Sequence, residues 1–406
     1  MRPPNEAPAG ALDTPALRQG RLARLKQELV RHDLAACVLT DPVNIRYATG
    51  ARNMQVFHSR NPARTLVVPA EGPVTLFEFP GCHHLAADLE TIDEIRPAIT
   101  VSYAAAGPRV DEVAVAWAAA VDRVLRADAG GERRIGIERV NHAAAAALAG
   151  LGWRLSDAQA PVERARAIKS DEEIACIRAS LAATERAVAH MQDGLRPGLT
   201  ENQLWARLHQ AVIEADGDYI ETRLLSAGAR TNPWFREAMA HPIRAGDLVA
   251  LDTDVVGPYG YYADFSRTFF AGAGRRPSAI QRSLYGHAVD QVRTNIERIR
   301  PGMTFREVAE RAWRIPERFL ANRYFVLAHG VGMTGEYPYL CHAVDFDACG
   351  YDGLIEPGMT LCVESYIGEE GGGEGVKLEE QILITATGSE PLSTYPLDPL
   401  LLGREV

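Results

Sequence analysis

Apolar and polar positions follow two different periods along the chain, and each change of period marks a new element. Up to residue 160, apolar runs typical of strands lie at 35–39, 65–69, 74–79, 95–103 and 134–138. Between them, apolar residues recur at helical spacing in 13–32, in 111–126 and from 142 onward. This alternation predicts a smaller α/β domain over residues 1–160, with residues 161–170 as the link to a second domain.

The second domain, residues 161–406, is predicted to be α+β. Several of its helices begin at a capping box, in which a Ser or Thr is followed three residues later by Glu or Gln, as at Ser170, Thr200 and Thr304. Helices are expected from 171 onward and at 200–216, 278–299 and 304–321, and strands around 220–228 and in hairpins within 246–270 and 358–384. Antiparallel strands with helices on one face define this class.

The hairpin within residues 246–270 carries three aspartates where apolar or neutral residues are expected. Two predicted strands flank a Gly/Pro/Tyr turn, and the segment contains Asp252, Asp254 and Asp264. Buried carboxylates repel one another, and a bound cation is the usual compensation. A single aspartate at a strand end is more often a turn or cap residue, but three in one hairpin favour a metal site.

The second hairpin repeats the spacing of the first. Glu364 follows Gly358 by six residues, as Asp252 follows Gly246, and each acid closes an apolar run. A further strand again supplies an acid, Glu379. The second domain is therefore predicted to be an internal duplication. Folding its halves face to face would bring four carboxylates to one centre.

A histidine between the two acid pairs offers a fifth ligand. His329 is followed by Gly-Val-Gly, which permits close approach of the backbone. A lone histidine is more often structural, but a fifth ligand is what four carboxylates lack. An oxygen-rich set with one imidazole suits two divalent ions of the Fe²⁺, Mn²⁺, Zn²⁺ or Co²⁺ type, bridged by carboxylates.

Composition and net charge limit the kinds of molecule that the protein is expected to bind. The 406 residues are 47% hydrophobic and 24% charged, an ordinary globular composition, and the net charge of −10 argues against nucleic acids and anionic membranes as partners. The six cysteines are scattered without a Cys-x-x-Cys pair, which indicates reduced thiols. The sequence shows no secretory signal and no apolar run of membrane-spanning length, so we expect a cytoplasmic protein.

The ligand pattern resembles that of the pita-bread metallopeptidases, among them methionine aminopeptidase, Xaa-Pro dipeptidase and creatinase. The matching residues are Asp252, Asp264, His329, Glu364 and Glu379. The resemblance implies a pita-bread domain with pseudo-twofold symmetry that holds two metal ions. Residues 1–160 look like the creatinase/prolidase N-terminal domain. That likeness implies a homodimer. Residues 52–58 are predicted to form a loop, either exposed to solvent or facing substrate, and in the dimer we expect this loop to lie near the partner's active site.

One difference in spacing adds a ligand to the set. Asp252 and Asp264 are 12 residues apart, slightly more than the family's usual spacing, and this implies a bulge. Residues i and i+2 of a strand face the same way. Asp254 is therefore predicted as an additional metal ligand.

The chain departs from the peptidases at residues that handle protons. Trp234 occupies the place of a histidine that precedes the first aspartate, and Gly335 rather than a histidine stands directly before the Glu336-Tyr337-Pro338 segment. Two imidazoles used in peptide hydrolysis are therefore missing, although the predicted metal ligands remain.

This combination is similar to a lyase branch of the same fold that cleaves dimethylsulfoniopropionate (DMSP). The similar segments are Asn53-Met-Gln-Val, Asn61-Pro, Gly72-Pro-Val, Arg230-Thr-Asn-Pro-Trp, Asp252-Thr-Asp, Gly257-Pro-Tyr-Gly and His329-Gly-Val-Gly-Met. The resemblance implies β-elimination of a small zwitterionic carboxylate, a sulfonium or betaine-type acid, to dimethyl sulfide and acrylate. Gly335 stands where that branch has an acid, and Phe57 where it usually has Trp. An Xaa-Pro-type peptidase or a creatinase-like C–N hydrolase is the alternative.

With Gly335 in the acid's place, two neighbouring residues are candidates for the catalytic base. Glu336 follows directly, but adjacent residues of an extended segment point to opposite faces. Tyr324 lies five residues before His329; its pKa starts near ~10, so it needs nearby metal charge to act as a base. We therefore favour Tyr324 over Glu336.

Aromatic side chains are expected to hold the cationic end of such a substrate. Trp234 and Tyr337, together with Tyr324, offer faces that attract a sulfonium, and Phe57 is a further candidate contact in the N-terminal domain. Core packing is the alternative interpretation for each of them.

Overall fold

The computed structural model describes residues 12–128 and 133–403. The chain divides into two compact units, Asp13–Arg166 and a unit that begins at Ala167. In the described part of the chain, no helix is both long enough and apolar enough to cross a membrane.

The first unit is built around a six-stranded mixed sheet with the strand order β4-β3-β2-β1-β5-β6. Its strands are β1 (Ala36–Leu39), β2 (Thr65–Pro69), β3 (Thr75–Glu78), β4 (Glu94–Pro97), β5 (Arg134–Ile137) and β6 (Arg154–Asp157). Its helices are α1 (Pro15–Arg31), α2 (Pro42–Thr49), α3 (Gln55–Arg60), α4 (Tyr103–Ala106), α5 (Val110–Asp128), α6 (His142–Gly150) and α7 (Gln159–Ala167). Trp117, Val121 and Leu125 of α5 pack on Val38 and Ile135 of the sheet.

The structure differs from the prediction in three local details of this region. The strand predicted over 95–103 ends at Pro97, which has no N–H to continue a ladder, and Ser102 then caps α4. Strand β6 was not predicted. Most of the expected link at 161–170 is helical, because α7 extends to Ala167.

The second unit combines six helices with eleven strands in the described residues. The helices are α8 (Asp171–Asp193), α9 (Glu201–Glu214), α10 (Ala279–Arg298), α11 (Phe305–Arg311), α12 (Glu317–Leu320) and α13 (Phe346–Cys349). The strands are β7 (Tyr219–Ile220), β8 (Leu225–Ala227), β9 (Leu248–Asp252), β10 (Val255–Val256), β11 (Tyr262–Ala263), β12 (Ser266–Phe270), β13 (Ala328–Val331), β14 (Gly335–Leu340), β15 (Thr360–Ile367), β16 (Val376–Ile384) and β17 (Ser389–Pro391).

The predicted duplication is visible in this unit. In the first half, α8 and α9 precede the hairpin β9–β12; in the second, α10 and α11 begin the segment that leads to the hairpin β15–β16. The capping boxes at Ser170, Thr200 and Thr304 all form. The helix predicted over 304–321 is split into α11 and α12, because Pro316 cannot donate a helical hydrogen bond and disfavours helix at the preceding residue.

The two hairpins are joined along their inner strands. Thr268 of β12 donates its hydroxyl to the carbonyl of Lys377 on β16 at 2.8 Å and accepts the Lys377 N–H at 3.1 Å. A side chain thus supplies the pairing that a backbone ladder would otherwise provide. The pita-bread fold class implied by the family resemblance is confirmed.

Candidate metal centre

Strand ends and strand register bring the predicted ligands together. Asp252 closes β9, Asp264 lies just before β12, and Asp254 lies between them with φ +40°. The second hairpin pairs Glu364 directly with Glu379. All of these are buried except Asp254, which is half-buried.

Donor atoms of these residues form two overlapping groups. In the first, single atoms of Asp264, His329, Cys362 and Glu379 all lie within 4.8 Å of one another. In the second, atoms of Asp252, Asp254 and Asp264 do so. Asp264 belongs to both groups. A carboxylate shared in this way is suited to bridge two positions for cations.

Hydroxyl groups fix the orientation of three acids. Ser266 Oγ lies 2.7 Å from Asp252 Oδ1 and 2.7 Å from Glu379 Oε2. The Thr222 hydroxyl donates to Asp254 Oδ2, and the backbone carbonyl of Asp254 accepts the N–H of Glu221. Contacts of this kind hold metal-binding carboxylates in place before an ion arrives.

Two oxygens of the cluster lack partners within the described protein. Glu364 Oε1 and Glu379 Oε1 are buried and accept no hydrogen bond. His329 directs Nε2 toward them, at 3.3 Å from Glu364 Oε1 and 3.8 Å from Glu379 Oε1. Its Nδ1 lies 2.9 Å from the carbonyl oxygen of Gly330 and can donate to it, which leaves Nε2 as the ring nitrogen that a cation would meet. Buried acceptors without donors fit a bound cation.

The pKa shifts within the cluster also indicate that additional positive charge would stabilise it. Burial, with repulsion from Glu379, raises the pKa of Asp252 to about 6 against the lowering effect of Lys377. Burial and the Asp252 charge raise the pKa of Asp254 to about 6 as well. Burial alone would lower the pKa of His329, but its close approach to Glu364 and the charge of the neighbouring carboxylates raise the pKa to about 9. These shifts are the expected response of a cluster of acids whose negative charge is only partly compensated.

Three residues of the centre were missed by sequence reasoning. Lys377 Nζ lies 2.6 Å from Glu364 Oε2, and the thiol of Cys362 donates weakly to the carbonyl of Asp264 at 3.5 Å. The third is the hydroxyl donor Ser266. Each of the three lies two positions from a predicted ligand of its own segment. The alternation of strand faces could therefore have identified them.

An aromatic group lies beside the acids. Trp234 stacks on Tyr366 with ring centres 6.2 Å apart and packs in one cluster with Tyr324. The Lys377 ammonium lies 4.6 Å from the centre of the Tyr324 ring. The Trp234 indole N–H is buried without a hydrogen-bond partner among the described residues. Of the predicted aromatic contacts, Trp234 and Tyr324 therefore lie together.

Tyr337 and Glu336 make their contacts with residues outside the aromatic group of Trp234, Tyr324 and Tyr366. The Tyr337 ring stacks on Tyr351 at 6.0 Å and contacts Phe305 at 6.0 Å. Glu336 is buried, and its Oε1 accepts a hydrogen bond from the ammonium of Lys169. This ion pair weighs against a role for Glu336 as the base and leaves Tyr324 as the stronger candidate.

Phe57 lies in the first unit, within α3 rather than in the loop expected there. Its side chain is 46% exposed, as are those of Met54 and Val56 to a similar extent. The neighbouring His58 is buried, and neither of its ring nitrogens has a hydrogen-bond partner among the described residues. The apolar side chains of this segment are therefore exposed in the single chain.

Comparison with known proteins identifies both parts of the chain. The sequence model of metallopeptidase family M24 matches residues 175–386, and that of the creatinase/prolidase N-terminal domain matches residues 21–168. The dimethylsulfoniopropionate lyase DddP of Roseovarius nubinhibens is 36% identical over 397 residues, which cover 97% of this chain and 89% of that protein. The lyase of the same name from Roseobacter denitrificans is 37% identical over 398 residues, with the same coverage of each chain.

Solved structures of peptidases share the fold at lower identity. The Xaa-Pro dipeptidase from Bacillus anthracis is 20% identical with a TM-score of 0.73, covering 94% of this chain and 99% of the dipeptidase. The X-Pro aminopeptidase from Thermotoga maritima is 17% identical with a TM-score of 0.74, covering 93% and 98%. The ligand pattern, the duplicated fold and these matches lead to one conclusion. The chain belongs to metallopeptidase family M24, with a creatinase/prolidase-type domain at its N-terminal end.

Proposed function

We propose that this protein is a metal-dependent lyase that eliminates a thioether from a small sulfonium carboxylate, with DMSP as the candidate substrate. The observation that carries the proposal is the 36–37% identity to two DMSP lyases over 97% of the chain. Peptidase relatives match a smaller share: the Xaa-Pro dipeptidase of Pyrococcus furiosus is 28% identical over 56% of this chain.

The candidate cofactor is a pair of divalent ions, of the Fe²⁺, Mn²⁺, Zn²⁺ or Co²⁺ type. Asp264, His329, Glu364 and Glu379 would hold one ion, and Asp252, Asp254 and Asp264 the other. Support comes from the shared position of Asp264 in both donor groups and from the unpartnered glutamate oxygens. A site of five carboxylates and one imidazole suits hard or borderline metals.

The reaction is a β-elimination. A base takes the proton from the carbon next to the carboxylate, the C–H electron pair becomes the new C=C bond, and the C–S bond pair leaves with neutral dimethyl sulfide. The products are acrylate, dimethyl sulfide and one proton on the base. Bound divalent ions would contribute by stabilising the negative charge that builds on the substrate carboxylate.

Tyr324 is the residue we assign to proton transfer. Burial, followed by the charges of Glu364 and Asp252, raises its pKa well above the ordinary value. Those acids are proposed metal ligands, so cations bound to them would cancel their effect and favour the phenolate. The base would then be active only in the metal-loaded protein.

Aromatic faces would receive the sulfonium. Trp234 and Tyr324 share a buried cluster, and Phe235 contacts the Tyr324 ring at 5.3 Å from a half-exposed position. Such faces attract a desolvated cation and release a neutral thioether more readily, because the product no longer carries the charge that binds to the ring. Roles for Tyr337 and Phe57 in binding remain predictions.

The alternative is hydrolysis of an Xaa-Pro dipeptide or a related C–N bond. The dipeptidase relatives favour it, but Trp234 occupies the place where the sequence pattern of the peptidases has a histidine. Headspace detection of dimethyl sulfide from DMSP, set against release of proline from Xaa-Pro dipeptides, separates the two. Dimethyl sulfide is the expected product; proline alone would refute the lyase proposal.

We also propose that the protein is a cytoplasmic homodimer that uses the α3 surface. The exposed apolar side chains of Met54, Val56 and Phe57 support a contact there. Light scattering should give twice the chain mass at working concentration. A fully active monomer would refute the dimer.

A further inference from the structure

A buried lysine lies inside the acid cluster. Lys377 on β16 is inaccessible to solvent. Its Nζ donates to Glu364 Oε2 at 2.6 Å, to Glu379 Oε2 at 2.9 Å and to Ser266 Oγ at 2.7 Å. An ammonium has three protons, and here each has an acceptor, so the charge is held in one place.

This ammonium divides the cluster into two unequal sides. On its own side lie the Oε2 atoms of both glutamates, together with Asp252 Oδ2 at 3.4 Å. On the opposite side lie the two Oε1 atoms, which have no donor among the described residues and face His329 Nε2. One side therefore offers unneutralised oxygens and an imidazole, while the other already has a fixed cation.

We infer that Lys377 is an internal counter-cation that makes the two metal positions unequal, an inference that rests on the proposed two-ion centre. The position at His329 and the glutamate Oε1 atoms fills first. The position at Asp252 fills at higher metal concentration, because an incoming dication is repelled by the nearby ammonium in a buried, poorly screened site.

The same lysine stabilises the metal-free protein. Five carboxylates converge on this centre, and among the described residues only the imidazole of His329 could offset their charge in the absence of Lys377. Removing one partner of a buried ion pair leaves an uncompensated charge and destabilises the fold. A divalent ion can supply the missing charge, so metal binding should reverse the loss of stability.

Three variants separate charge from general effects of substitution. Lys377→Met removes the charge at similar length, and Lys377→Arg keeps it. Lys169→Met is the matched control, because the Lys169 side chain is 1% exposed and its ammonium donates to Glu336, outside the proposed ligand set. Each full-length protein is freed of metal by chelation and titrated calorimetrically with Mn²⁺ and, separately, Zn²⁺. Melting temperatures are measured with and without each ion.

Wild type and Lys377→Arg should bind two ions with unequal affinity. In Lys377→Met the weaker site should tighten on the order of tenfold or more. Its melting temperature should fall by about 5 °C or more without metal and recover with it. Lys169→Met should melt lower yet keep the wild-type titration.

An unchanged titration for Lys377→Met overturns the inference about Lys377. If wild type binds neither ion, the proposed metal centre itself fails, which is a different outcome. If Lys377→Met can be recovered only in its metal-bound form, chelator competition measures the same weaker site and decides the question in the same way.

Discussion

The missing acid at Gly335 gives a direct test of how this site handles protons. Substituting Gly335→Asp would supply a carboxylate beside the metal centre. A Cβ added at this position would meet Tyr339 Oη at 3.6 Å and the His329 ring at 3.8 Å, which are ordinary contact distances. The backbone at Gly335 is outside the left-handed region, so a side chain introduces no strain. We expect the free energy of unfolding to change by less than about 1 kcal/mol.

The expected gain in rate is that of a positioned general base. Such a group contributes roughly 10²- to 10⁴-fold, so Gly335→Asp should raise dimethyl sulfide release from DMSP by up to that factor if the base is the only part missing. Gly335→Asn is the matched control, since it fills the same space without a base. The assay is headspace gas chromatography with metal content measured on the same samples. If Gly335→Asp keeps its metal and releases no more dimethyl sulfide than Gly335→Asn, the pocket serves another substrate and the reasoning fails.

Three further predictions concern the ligands and the aromatic group. Asp264→Ala and Glu379→Ala should each abolish metal binding and activity. Circular dichroism should show that the Asp13–Arg166 unit is still folded. Retention of two ions per chain would refute the ligand assignment. Trp234→Leu should raise the KM for a sulfonium substrate on the order of tenfold, because a cation–π contact of about 1–2 kcal/mol is lost. An unchanged KM would show that Trp234 does not contact the substrate. Without metal, the pKa values of Asp252 and Asp254 are raised to about 6, so both acids bind protons below that pH. Metal affinity should therefore be lower at pH 5 than at pH 7.5 when it is measured by calorimetry. Equal affinity at both pH values would contradict this.

The convergence of the acids could be predicted because the two hairpins that carry them repeat one spacing along the chain. Asp252 and Glu364 follow their glycines by the same number of residues, and the structure pairs Glu364 with Glu379 in one register. The alternation of apolar and polar residues assigns each residue to one face of a strand, and this was enough to predict that these acids lie close together.

Long-range pairing and local irregularity were not predictable. The ion pair of Glu336 joins it to Lys169, 167 residues earlier in the chain, and no local pattern signals such a partner. A bulge between His329 and Gly330 shifts the register of β13 against β14 and brings Tyr339, rather than Tyr337, opposite His329. A shift of this kind depends on packing and not on the alternation of the sequence.

Lys377 shows a third limit of sequence reasoning. It lies on the same strand face as Glu379, yet a lysine within a predicted metal site is easily interpreted as a solvated neighbour. Its burial becomes understandable only when the charges of the surrounding carboxylates are known in three dimensions. Electrostatic compensation is a property of the assembled site.

The most direct test of the account is the release of dimethyl sulfide from DMSP by purified protein, measured in the headspace before and after removal of metal. The metal-loaded protein should release dimethyl sulfide and acrylate in equal amounts. After chelation it should release neither until a divalent ion is returned. Metal-loaded protein that releases no dimethyl sulfide, or chelated protein that releases it at the same rate, would contradict the proposal of a metal-dependent lyase.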